Sequence, residues 1–210
     1  MNEDLELKRL EQATFRVANQ DGLTEFWMGL MILAIALVLI GTYFVPTVAF
    51  LILFQAAFNE RIKERFTYPR IGRVKLRGED EMPTGYGWIL VVVTMIPAIA
   101  AVVFSQRVEN DLLFLIANSA PLLVGIGLTW PAVYLAEKSG LKSYYSIGAI
   151  AVILGVLFVF LEFPTPVYRM VLFMALVGVV FVLTGIASLT RFVRKYPVLE
   201  LEEVSDERQG

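Results

Sequence analysis

The residues with the most chemistry to offer lie between Arg61 and Arg77. There Arg61, Lys63, Arg65, Arg70, Arg73, Lys75 and Arg77 meet a single acid, Glu64, a net +6 over 17 positions. A guanidinium fork binds phosphate and carboxylate groups bidentately. Arg65, Arg70, Arg73, Lys75 and Arg77 are therefore a candidate anion- or lipid-binding set, facing lipid head groups or an acidic partner. Beside a bilayer the plainer outcome is delocalised attraction to anionic lipid, roughly 1 kcal/mol per basic residue. Arg73, Lys75 and Arg77 alternate with Val74 and Leu76 between Gly72 and Gly78, a strand-like pattern. Tyr68-Pro69 predicts extended backbone just before it.

A second set lies inside apolar sequence. Asn118, Ser119, Pro121, Gly125, Gly127, Thr129, Trp130 and Pro131 share one hydrophobic stretch, and Thr94 and Pro97 lie in the preceding one. Each proline frees a carbonyl four residues back, and helices interrupted in this way can line transporter sites. Thr94, Asn118, Ser119 and Thr129 are the candidates for a polar pathway. The same residues suit a kinked helix packed through small side chains.

Other chemistry is poorly supplied. The chain has no Cys and no His, which removes thiol nucleophiles, thiolate metal sites, haem ligation by His and the commonest general base. No catalytic residue, metal ligand or cofactor is expected, and Glu60, Glu64, Glu79, Asp80 and Glu81 are a thin inventory for an enzyme. Nucleic acid is not an expected partner: the basic stretch is short, the net charge is -2, and no binding module accompanies it.

These residues must be held by apolar elements. The chain is 57% hydrophobic and 18% charged, with a mean hydropathy of +0.67, which excludes an ordinary water-soluble domain. The expected fold is all-α, a polytopic integral membrane bundle of six transmembrane helices in residues 22–190. Residues 1–21 are read as an amphipathic interfacial helix, 59–85 as a basic loop, and 191–210 as a tail.

From Phe26 to Phe58 there is no charge, and as one helix those 33 residues would run about 50 Å against a hydrocarbon core of roughly 30 Å. Gly41 and Pro46 supply a break, giving helices at Leu23–Gly41 and about Val45–Lys63. Further spans are expected at Tyr86–Phe104, Leu112–Ala136, Tyr144–Leu161 and Val167–Leu189. No ionisable group is expected deep in a span; Glu60, Arg107, Glu109, Asp111, Glu137, Glu162 and Arg169 fall at the ends. Gly148 and Gly155, and again Gly178 and Gly185, lie seven apart on one helix face and predict close backbone packing.

Six spans would gather 16 of the 18 basic residues on one side, leaving Arg107 and Arg169 opposite. The positive-inside rule then sets both termini in the cytoplasm.

The stretch Arg65–Leu76, with its core Arg-Phe-Thr-Tyr-Pro-Arg-Ile-Gly-Arg-Val-Lys, resembles a loop of an uncharacterised family of prokaryotic integral membrane proteins. Arg191-Phe192 through Tyr196-Pro197 is similar to that family's exit from its last helix. The resemblance covers about 20 of the 210 residues. It implies a multi-pass protein of the prokaryotic inner membrane and brings no activity or cofactor with it.

Two functions fit these readings. One is a non-catalytic membrane protein or subunit, a scaffold or partner- or lipid-binding component that forms a homo-oligomer or joins a membrane complex. The other is a small transporter-like component with its pathway near the two kinked helices. A cavity reaching Asn118 would favour the second; a filled core with an exposed apolar flank would favour the first.

Overall fold

The computed structural model describes residues 21–71, 87–105, 107, 110–139, 141 and 143–196. Every regular element among them is helical. In chain order these are α1 (Leu23–Ile40), a 3-10 turn (Thr42–Phe44), α2 (Val45–Ile62), a π turn (Lys63–Thr67) and α3 (Tyr68–Ile71). They are followed by α4 (Gly87–Phe104), α5 (Asp111–Ser139), α6 (Ser143–Phe160) and α7 (Pro166–Lys195).

Local sequence sets the ends of these helices. Thr165 accepts from the Tyr168 amide at 3.3 Å, and Pro166 occupies the first turn of α7, where its missing N–H would have no helical partner. Asn110 Oδ1 accepts from the amides of Leu112 and Leu113, starting α5. Gly41 turns extended after α1, and its amide closes the helix on Leu37 O at 3.2 Å. The expected hairpin is present, with Pro46 in the first turn of α2. It is fastened by Trp27 of α1 edge-on against Phe54 of α2, at 5.9 Å between ring centroids.

Two closely packed pairs make the core. Antiparallel α1 and α7 meet glycine to glycine: a Cβ on Gly29 would lie 2.8 Å from Gly178 O, and one on Gly185 would lie 2.8 Å from Gly22 O. Antiparallel α5 and α6 meet at Gly125 against Ala151 O and at Gly155 against Pro121 O. The inner faces repeat at helical spacing, Ala117, Ala120, Val124 and Leu128 on α5 and Met170, Phe173, Met174, Val177 and Phe181 on α7. Ala98, Ala101 and Val102 bring α4 into the same cluster. Without a strong hydrophobic drive between helices in lipid, such small-residue contacts supply dispersion and close approach instead.

The six-span expectation is corrected. Among the described residues three helices are long and apolar enough to cross a membrane, Leu23–Ile40, Asp111–Glu137 and Pro166–Lys195. A span needs about 20 predominantly apolar residues. The described apolar stretches Met95–Phe104 and Tyr144–Phe160 are shorter. In α2, Gln55, Asn59, Glu60 and Arg61 dilute the apolar character that the run before Phe58 suggested. The inference that both termini are cytoplasmic required six crossings and falls with them. What stands is an all-α chain with a multi-span helical membrane character.

The basic segment is also corrected in part. Tyr68 lies in the right-handed helical region (φ -64°, ψ -35°) rather than extended, because helical turns carry the chain from α2 through the π turn into α3. Pro69 is tolerated there within the first turn. The strand-like Arg73–Arg77 pattern, the amphipathic reading of residues 1–20 and the tail from 197 onward lie outside the described residues.

Candidate functional site

Polar side chains are buried at both ends of the bundle. At one end are the start of α1, the π turn after α2 and the start of α6. Asp21 precedes α1 and is 1% exposed; its Oδ1 accepts from the Leu23 amide at 3.1 Å, and its Oδ2 accepts from the Thr67 hydroxyl at 3.0 Å. Gly22 follows in the left-handed region (φ 73°), where a side chain would also strike Gly185 and Ser188 of α7. That turn delivers Glu25 into the first turn of α1, 4% exposed. Tyr144, at the start of α6 and 2% exposed, presents its hydroxyl to Glu25. Glu25 and that hydroxyl face one another, and Trp27 Nε1 is buried without a hydrogen-bond partner among the described residues.

The electrostatics follow from this burial. Loss of water pushes the Asp21 carboxyl above the ordinary carboxylate range, while the Leu23 amide, the Thr67 hydroxyl and the charge of Lys63 pull the other way. Asp21 and Glu25 lie near enough to repel one another. Among the described residues, Lys63 is the cation whose charge bears on Asp21.

At the opposite end Arg169 of α7 is buried. Its Nη1 donates to both Asn118 O and Asn118 Oδ1 at 3.0 Å, and its Nη2 donates to Leu161 O at 2.9 Å. The guanidinium lies 5.5 Å from the centroid of the Phe163 ring. This single side chain joins α5, beside the Pro121 interruption, to the end of α6 and the start of α7.

The structure distributes the expected site residues widely. Arg65 is exposed on the π turn, 6.0 Å from the Phe66 ring centroid, and Arg70 on α3 donates weakly to Phe66 O at 3.4 Å. Arg73, Lys75 and Arg77 lie outside the described residues, as does the side chain of Thr94. Asn118 is held by Arg169. Ser119 and Thr129 donate to Leu115 O and Gly125 O of their own helix, both at 3.0 Å.

Glu25 is a buried ionisable group in the first turn of α1 that the sequence reading did not single out. Asp21, Glu25, Thr67 and Tyr144 were not legible as a set, because they come from three separate stretches. Glu25 alone could have been found, standing two residues inside the start of an otherwise uncharged helix.

The basic side chains form a pattern of their own. Of those described and exposed, Arg61, Arg65, Arg191, Arg194 and Lys195 lie at the α1-start end, and Arg107 lies at the other. Arg61 is 5.7 Å from the Phe58 ring centroid and Lys195 is 5.2 Å from that of Tyr196.

Comparison of the chain with family models, curated proteins and solved structures finds no match.

Proposed function

We propose that this chain is a non-catalytic, multi-pass component of a prokaryotic inner membrane whose basic end binds anionic lipid head groups. The observation that carries the reading is the gathering of Arg61, Arg65, Arg191, Arg194 and Lys195 at the ends of α2 and α7. Arg61, Arg65 and Lys195 each lie over a neighbouring aromatic ring. Aromatic and basic side chains together are the usual furniture of a membrane–water interface, and each cation near an anionic surface adds roughly 1 kcal/mol of attraction. The inner-membrane assignment rests on the loop resemblance at Arg65–Leu76.

The scaffold part of the reading is supported by the packed interior and by the outer flank of α2. Phe50, Ile52 and Leu53 are exposed there, and α1 is the main helix that meets α2. Such a flank suits self-association or a larger membrane complex. The transporter-like alternative keeps less support. Asn118 is occupied by Arg169, and the Ser119 and Thr129 hydroxyls bond within their own helix.

The test is anionic-lipid retention by native mass spectrometry. Parent protein is compared with variants that carry Gln or Lys at positions 61, 65, 191, 194 and 195. Gln should reduce retained anionic lipid at least about tenfold, while Lys should preserve it if the attraction is delocalised. Equal retention by all three forms would overturn the reading.

A further inference from the structure

We propose that one face of α2 is a binding site for a single anionic phospholipid, with the phosphate at Arg61 and one acyl chain laid along Phe50, Phe54 and Phe58. The site rests on the proposed attraction of this end for anionic lipid, and it names what holds the rest of the lipid molecule. Phe50, Phe54 and Phe58 recur every four residues and Arg61 follows three further on, so all four share one stripe of the helix. Ile52 lies on the other side of α2 and takes no part in the stripe.

The three rings form a continuous ladder. Phe50 and Phe54 stack with centroids 5.6 Å apart, and Phe54 and Phe58 stack at 4.0 Å. Trp27 of α1 stands edge-on to Phe54 and fixes the middle ring. Arg61 closes the ladder, its guanidinium 5.7 Å from the Phe58 centroid. Phe50 is 61% exposed and Phe58 is 36% exposed, so the ladder is open at both ends.

Length and charge select the occupant. Arg61 stands 11 residues after Phe50, about 16 Å of helix axis at 1.5 Å each, and half of the roughly 30 Å hydrocarbon core is about 15 Å. The stripe is therefore one leaflet deep, with a cation where the head group lies and apolar rings where the chain runs. An acyl chain matches a smooth apolar stripe through dispersion contacts, and a phosphate matches the guanidinium fork. Arg65, exposed on the π turn beyond α2, adds positive charge at the same end. A second copy of this chain fits less well. A two-fold axis along the membrane normal would set Arg61 against Arg61 and Arg65 against Arg65, and like charges repel.

The experiment follows retention of dioleoyl phosphatidylglycerol and of dihexanoyl phosphatidylglycerol by the full chain, using native mass spectrometry. One dioleoyl lipid should be retained per chain. Phe50→Ser should lower retention of the long-chain lipid about tenfold and leave the short-chain lipid unchanged, because a hexanoyl chain ends short of Phe50. Arg61→Gln should lower retention of both, by about fivefold. Phe50 is mostly exposed, so its exchange leaves the core intact, and unchanged short-chain retention checks that the variant is folded. Parent-like retention of the long-chain lipid by Phe50→Ser would overturn the proposal, as would an equal loss of both lipids. If Arg61→Gln still weakened both, head-group attraction would stand and the ladder site alone would fall; if neither variant mattered, both would fall. A dimeric parent whose Phe50→Ser form is monomeric would give the face to a second copy and overturn the lipid assignment.

Discussion

Arg169 shows how neutral acceptors can hold one buried charge. Its Nη1 and Nη2 reach two backbone carbonyls and one side-chain amide, and the ring of Phe163 covers one face of the group. Arg169→Gln should destabilise the protein by about 2–4 kcal/mol, because the buried carbonyls lose charge-assisted donors. Asn118→Ala should cost only about 1 kcal/mol, since Asn118 O and Leu161 O keep their donors. Thermal unfolding of both variants checks the order, and equal losses would mean that the Asn118 side chain is the essential contact. The sequence placed Arg169 correctly at a helix start but could not show its partners, which lie 51 and 8 residues away. Glu25 was hidden for another reason. The uncharged run begins one residue after it, so it reads as the edge of the membrane segment rather than as a group buried within it.

At the scale of elements, the seven-residue glycine pairs were informative because their meaning is geometric. Gly178 and Gly185 predict a close neighbour for α7, and α1 meets them with Gly22 and Gly29 at the same interval. The identity of that neighbour was not written in α7 itself. It emerges because two antiparallel helices with the same small-residue interval can keep both contacts at once. A Cβ on Gly29 would lie 2.7 Å from Val182 N and 2.8 Å from Gly178 O, backbone atoms that cannot move aside without shifting a helix. On Gly148 the nearest atom would be Ala132 Cβ at 3.2 Å, a milder conflict. Gly29→Ala should therefore cost about 1–3 kcal/mol, and Gly148→Ala less than about 1 kcal/mol. Chemical or thermal unfolding in one detergent compares them directly; a larger loss for Gly148→Ala would contradict the packing described for α1 and α7. Helix boundaries were largely legible, since Gly41, Pro46, Thr165 and Pro166 act locally. The helical backbone at Tyr68 was not, because the local bias of a residue before proline yielded to the continuing helix.

For the whole molecule, α7 gives the clearest measure of how the chain relates to a bilayer. Between Arg169 and Arg191 it carries no charge, and that interval is about 33 Å long at 1.5 Å per residue, close to the roughly 30 Å hydrocarbon core. Its inner face, Phe173, Val177 and Phe181, is buried, whereas Leu172, Leu176, Val179, Leu183 and Ile186 are exposed on the isolated chain. An exposed apolar face of this length is unfavourable in water and suited to lipid. Composition alone made the membrane character legible, but it overstated the number of crossings because hydropathy does not distinguish a short or polar-tipped helix from one of full span. The chain has no native Cys, so single cysteines report each position without background. In membranes, Leu183→Cys should resist a membrane-impermeant maleimide by at least about tenfold in rate relative to Arg107→Cys, because thiol reaction requires the thiolate and water to support it. After denaturation both should react alike, which controls for intrinsic reactivity. Equal rates in intact membranes would place the outer face of α7 in water, and α7 could then no longer count as a membrane-crossing helix.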